Sequence, residues 1–146
     1  MEFCSGGSLD DYLKMNRENK TLIEEKVIWK IFAEVVSAVN EIHYDPQGAI
    51  LHRDIKPKNI LLDSDNNVKL GNFSLLRRLD PEEEFALTYT SGCYYKSPEQ
   101  IVSGIFSTQS DIWSLGCLLF EMAALRPPFK KSSDLQTAKS IKEDKV

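Results

Sequence analysis

Apolar residues recur along this chain with a helical period in one long segment and in shorter, differently spaced runs elsewhere. Ile28, Ile31, Phe32, Val35, Val39 and Ile42 share one helical face, which predicts an amphipathic helix running to about Tyr44 with that face on a core. Thr21, with Glu24 three residues on, matches a capping box and sets the expected start of this helix. Ahead of it, a glycine turn at Gly6-Gly7 leads to Ser8, placed to cap a short helix reaching Met15. The polar run from Asn16 to Lys20 is expected to connect the two.

Beyond the turn formed by Asp45, Pro46, Gln47 and Gly48 the pattern contracts. Ile60-Leu61-Leu62 and Val68-Lys69-Leu70, joined by a segment rich in Asp and Asn, predict a β-hairpin. Residues 71–96 hold no sustained period and read as a loop of a length usually kept for function. Another helix is expected from Ser107 or Thr108. Its stretch 111–125 is apolar on nearly every face, which predicts a central helix buried on all sides and ended by Pro127-Pro128. A weak, charged helix is expected after Asp134. The fold class is mainly α, made α+β by the hairpin.

Length and charge narrow the function classes. The 146 residues, 42% of them hydrophobic and 27% charged, suit one globular unit with a real core. Eighteen basic against 22 acidic residues, a net charge of -4 with no long basic run, point away from nucleic acid and from anionic membranes, and toward small polar or protein ligands. Cys4, Cys93 and Cys117 lack metal-ligand spacing and are expected to be free thiols in a reducing, cytoplasmic setting. The amino terminus lacks the pattern of a secretory signal, and no apolar run approaches the roughly 20 residues of a membrane span.

The segment His52-Arg53-Asp54-Ile55-Lys56-Pro57-Lys58-Asn59 resembles the catalytic loop of eukaryotic protein kinases. It is followed at the family's spacings by a hairpin, by Asn72-Phe73-Ser74, by Ser97-Pro98-Glu99 and by the helix containing Asp111. Lys56, two residues after Asp54, is the serine/threonine-kinase form of the loop. Residues 94–100 and Arg126-Pro127-Pro128-Phe129 look most like the Nek (NIMA-related) kinases.

The resemblance implies a set of roles. Asp54 would accept or orient the proton of a substrate hydroxyl, and Lys56 would stabilise the transferring phosphoryl group, since such catalysis works by positioning and charge neutralisation. Asn59 and the residue at position 72 would hold Mg2+ with ATP. Leu61 would floor the adenine, and Glu2 and Cys4 would be the hinge that meets its edge. Arg53 would pair with a phosphate on the activation loop, for which Thr88 is the best-placed acceptor, with Thr90 and Ser91 as rivals. Asp111 would hydrogen-bond the catalytic-loop backbone, and His52 and Phe73 would stack in the apolar column behind it.

Three departures complicate that inheritance. Asn72 stands where the family has a metal-binding Asp; a neutral amide offers Mg2+ one weaker oxygen and an NH2 group that cannot ligate. A loss of about 4 kcal/mol of transition-state stabilisation would slow the reaction on the order of a thousandfold. Ser74 and Gly92 replace a glycine and a threonine of the family pattern. The likeness also begins at the hinge, so residues 1–146 are expected to be a partial protein-kinase large lobe with the small lobe absent, ATP and Mg2+ binding weak or lost, and Glu99 buried without its arginine partner. The leading expectation is a catalytically impaired, pseudokinase-like module that binds a protein partner. The alternatives are an active protein serine/threonine kinase represented by an incomplete chain, and a degenerate fragment.

Overall fold

The structure, a computed structural model, describes residues 4–80, 82–87 and 93–143. Ser8 caps α1 (Leu9–Glu18): its hydroxyl accepts from the Asp11 N–H at 3.2 Å, while the Asp11 carboxylate accepts from the Ser8 N–H at 3.0 Å. This is a reciprocal capping box. The helix runs past Met15 because Asn16 is buried and donates to the Tyr12 carbonyl at 2.8 Å, which keeps the polar run helical. In α2 (Glu25–His43), Ile28, Ile31, Val35 and Val39 are buried. The cap expected from Thr21 does not form; its hydroxyl donates to the Asn19 carbonyl, and Glu24 occupies the N-cap without a side-chain capping bond. Ile23, buried in the core, draws this approach segment away from helix.

A two-residue β1 (Ile50–Leu51) precedes the predicted hairpin, β2 (Ile60–Leu62) and β3 (Val68–Leu70), in which Ile60 lies opposite Leu70 and Leu62 opposite Val68. Asp63 organises the turn by accepting from the N–H groups of Asp65 and Asn67, both at 2.9 Å. On the other side of β2, the Gly6 N–H donates to the Leu62 carbonyl and the Leu62 N–H to the Gly7 carbonyl, both at 2.9 Å. A Cβ on Gly6 would lie 2.6 Å from the Asp63 carbonyl oxygen, so only glycine permits this approach. On the outer side of β3, Glu34 of α2 accepts from the Val68 N–H at 2.7 Å.

Residues 71–96 are more structured than their lack of period implied. A 3-10 turn spans Phe73–Leu75, β4 (Arg77–Arg78) pairs with β1, and β5 (Ala86–Leu87) pairs with β6 (Ile105–Phe106). Two-residue strands are too short to register as a periodicity. Between β5 and β6 lies α3 (Pro98–Ser103), which the apolar pattern missed; the Ser97 N–H donates to Gln100 Oε1 at 2.6 Å and Gly104 ends the helix at φ +66°. The signal was in its punctuation: serine before, proline first, glycine after.

The central helix is α4 (Thr108–Ala124), followed by α5 (Asp134–Lys142). Leu115, Leu118 and Met122 join α1, α2 and the hairpin in the main core, while Cys117 packs with Phe129 and Ile141 on another side. The expectation of burial on all sides is corrected: Ile112 is 57% exposed, and Gly116, Ala123 and Ala124 face solvent. Among the described residues, no helix is long and apolar enough to cross a membrane.

Asp111, in the first turn of α4, ties the loop after β1 to the helical core. Its Oδ1 accepts from the Arg53 N–H at 3.0 Å, and its Oδ2 accepts from the His52 N–H at 2.9 Å and meets His43 Nε2 at 2.8 Å. Arg53 is thereby held at φ +65°, a left-handed conformation that a non-glycine residue keeps only when its surroundings enforce it. His52, fully buried, directs Nε2 to the Gly71 carbonyl at 3.1 Å. Burial pushes its imidazole below the ordinary 6.5, against the upward pull of Asp111 and of the Gly71 bond.

Two expected outcomes follow from this core. Leu118→Ala removes a fully buried side chain and should lower unfolding stability by about 2–5 kcal/mol, read from urea or thermal melts. Because the His52 imidazole is depressed in the folded state, the unfolded chain takes up that proton first. Its stabilising contribution should therefore be complete above 6.5 and fall as pH drops below it toward the folded value. Denaturant midpoints across that range should show the slope, and His52→Phe should flatten it.

Candidate active site

The segment between β1 and β2 turns back through a 3-10 turn at Pro57–Asn59, whose proline sits at the start, where no N–H is needed. This turn brings three side chains of one loop together. Lys56 Nζ meets Asp54 Oδ1 at 2.8 Å, and Asn59 Nδ2 donates to both the Asp54 carbonyl and Asp54 Oδ2 at 2.7 Å. Asp54 is also braced from behind, its N–H reaching His52 Nδ1 at 3.3 Å. The carboxylate is oriented at both oxygens while remaining partly open to solvent.

Asn72 enters from the strand side. It follows β3 by two residues, adopts φ +59° and ψ +64°, and begins the turn that carries Phe73. Its Nδ2 donates to Asp54 Oδ2 and to Asn59 Oδ1, each at 3.2 Å, and its Oδ1 accepts from the Ser74 hydroxyl at 2.8 Å. The amide thus turns its NH2 group toward the Asp54 loop and its oxygen away. Phe73 lies edge-to-face with His52, centroids 6.1 Å apart, though half of it is exposed.

Arg53 points the other way. Its Nε donates to the Leu75 carbonyl at 2.5 Å and its guanidinium lies over the Phe106 ring, 5.9 Å from the centroid. Burial and the neighbouring charge of Arg77 both lower its affinity for its proton, with Asp111 opposing. A pocket opens between this loop and the segment before α3, bounded by Asp54, Lys56, Tyr94, Lys96 and Gln100. Leu61 is half-buried and bridges to Ser8; Cys4 is half-buried as a free thiol. Glu2, Thr88, Thr90, Ser91 and Gly92 lie outside the described residues.

Glu99 is corrected. It is only half-buried and accepts from the Ser110 hydroxyl at 2.9 Å. Burial pushes its carboxyl upward, yet hydrogen bonds, that of Ser110 among them, outweigh this and hold it below its ordinary value. On α4, Glu121 is a buried carboxylate, which accepts from Arg17 Nη2 at 2.5 Å and from the Tyr95 hydroxyl. Burial raises Glu121 against those two bonds, and burial followed by the Glu121 charge raises Tyr95. Sequence reasoning missed this group, as it missed His43 on Asp111 and Ser74 on Asn72. Arg17 and Glu121 are 104 residues apart, so no local spacing announces them; Ser74 lies two residues from Asn72 and bonds it side chain to side chain, a short-range pairing within reach of the sequence. Cys117 is pushed up to about 12, chiefly by burial, and Cys93 is raised for the same reason, which makes both thiols packing groups rather than nucleophiles.

Comparison with known proteins places this geometry. The family model described as the protein kinase domain matches residues 1–146. The chain is 45% identical over 141 residues to the probable serine/threonine-protein kinase nek2 of Dictyostelium discoideum, covering 97% of this chain and 34% of that protein. It is 40% identical over 147 residues to the serine/threonine-protein kinase Nek2 of Homo sapiens, covering 99% and 33%. It is 36% identical over 169 residues to the G2-specific protein kinase nimA of Emericella nidulans, covering 99% and 24%. The chain spans about a third or less of the length of these relatives. The loop around Asp54, the hairpin beside it and the helix that carries Asp111 therefore have a common origin: this chain belongs to the protein kinase family, and its relatives are serine/threonine kinases of the Nek and NIMA kind.

Proposed function

We propose that this chain is a serine/threonine-kinase-type large lobe in which phosphoryl transfer is impaired and which acts by binding a protein partner. One observation carries the reading: the amide of Asn72 presents N–H, not oxygen, to the Asp54 loop. Kinases of this family use ATP and Mg2+, and Mg2+ demands near-octahedral oxygen ligands. The donor set here does not fit that ion. Asp54 Oδ1 is paired with Lys56, Asp54 Oδ2 and Asn59 Oδ1 both accept N–H from Asn72, and the Asn72 oxygen is turned to Ser74. Among the described residues, no group of three His, Cys, Asp or Glu side chains offers an alternative site.

The binding half of the proposal draws on surface. Trp113 stacks on Phe129 at 5.5 Å, and beside them Gly116, Phe120 and Pro128 line an apolar groove on α4. A groove of this composition suits a protein partner better than a polar small molecule. Free, packing-type thiols at Cys93 and Cys117 agree with a reducing, cytoplasmic setting.

A second reading, an active ATP-dependent serine/threonine kinase, is favoured by the ordered trio of Asp54, Lys56 and Asn59. Phosphate transfer from labelled ATP to a general protein substrate, with the longest natural form of the protein, separates the two. The wild type should remain near background, and Asn72→Asp should raise the rate on the order of a thousandfold. An unchanged rate in the variant would sink the account of Asn72. A wild-type turnover of about 1–100 per second would establish the active reading instead.

A further inference from the structure

The side chain of Asn72 does more than fail to be a carboxylate. Its NH2 group lies 3.2 Å from Asp54 Oδ2 and 3.2 Å from Asn59 Oδ1, two oxygens of the opposing loop. Asp54 Oδ2 also accepts from Asn59 Nδ2 at 2.7 Å, whereas the donor to Asn59 Oδ1 is the Asn72 amide. The Asn59 NH2 group gives both of its bonds to Asp54, leaving the Asn59 oxygen for Asn72. Were the amide rotated by half a turn, three oxygens would face one another, a repulsive arrangement unless a cation sat among them. In the observed orientation the amide oxygen is used instead, accepting from the Ser74 hydroxyl at 2.8 Å. Both polar atoms of the Asn72 side chain are therefore engaged, and its positive end sits between the two oxygens.

We propose that the Asn72 amide is a built-in stand-in for a divalent cation: its NH2 group bridges Asp54 and Asn59 and holds the two loops together without metal. Ser74 is the positioning residue, since its hydroxyl satisfies the outward oxygen that the bridging orientation leaves behind. The left-handed backbone at Asn72, φ +59°, aims the short side chain across the gap; Asn is among the few residues that adopt it readily. A metal and the bridge are mutually exclusive, because the Asn59 oxygen that would ligate the ion is the one that accepts from the Asn72 amide.

This inference rests on the impaired-transfer reading but is tested without nucleotide, so the two can fail separately. Melting curves of the full chain are recorded in chelator and in excess Mn2+, and Mn2+ binding is followed by the loss of the free-ion paramagnetic resonance signal. The wild type should melt at the same temperature in both conditions and take up no Mn2+ at the site. Asn72→Asp, which sets two carboxylates against each other, should melt roughly 3 °C or more lower in chelator and regain the loss with Mn2+. Asn72→Ala should melt lower in chelator and regain nothing. The proposal is overturned if either variant melts as high as the wild type in chelator, or if the wild type binds Mn2+ within a few-fold of Asn72→Asp. Should Asn72→Asp fail to fold, the Asn72→Ala melt and the wild-type titration still decide the matter. Detected phosphate transfer by the wild type would instead strike the functional reading, leaving these melts to judge the bridge.

Discussion

The carboxylate of Asp111 is the constraint on which the arrangement of this lobe depends. It stands in the first turn of α4, where the helix dipole favours negative charge. From there it accepts two backbone N–H groups from the loop and meets His43 at the end of α2. Those bonds hold Arg53 in a left-handed conformation, and that twist sends consecutive side chains in opposite directions: His52 inward to the Gly71 carbonyl, Arg53 toward Leu75 and Phe106, Asp54 to the open side. Remove the anchor and the buried His52 N–H and the half-buried Arg53 N–H lose their acceptor, a cost comparable to that of a large core truncation. Local backbone geometry, helix packing and site chemistry thus meet in one side chain.

A second buried carboxylate does a different task. Glu121 lies a little under three turns further along the same helix and joins α1, through Arg17, to the segment before α3, through Tyr95. Arg17 also donates to the Leu125 carbonyl at 2.6 Å, where α4 ends in a left-handed residue. The charge is worth burying because each oxygen has a strong donor and the arginine closes the end of the helix as well. Ser114, between the two acids, adds a bond to the Tyr95 carbonyl at 2.8 Å. One helix therefore presents the polar contacts that align both walls of the pocket beside Asp54.

Much of this was legible in the sequence, and the limits have physical causes. The α2 stripe, the hairpin and the Ser8 cap were readable because each is a local pattern repeated over several residues. So was the loop around Asp54, whose letters are constrained by its chemistry and which carries a likeness to a known family. The two-residue strands β1, β4, β5 and β6 were not readable, since pairing over such short stretches is decided by distant partners. The Thr21 cap was misread because Ile23, buried in the core, overrules a favourable local motif. Burial of α4 was overestimated for the opposite reason: composition tells how apolar a helix is, whereas the presence of neighbours on each face is a tertiary fact. At the site, the identity of Asn72 was visible but the direction of its amide was not, because that depends on three oxygens contributed from both sides of it.

The hairpin next to the site carries a further implication through Glu34. A short pair of strands ordinarily leaves outward-pointing N–H and C=O groups on both flanks, and such flanks recruit other chains. Here the Gly6–Ser8 segment covers one flank, and the Glu34 carboxylate occupies the outward N–H of Val68 on the other. A negative charge fixed at that position also repels an incoming strand that carries its own acceptors. The same acid that docks the hairpin on α2 thereby blunts its open flank, keeping β2 and β3 committed to the fold rather than available to a neighbour.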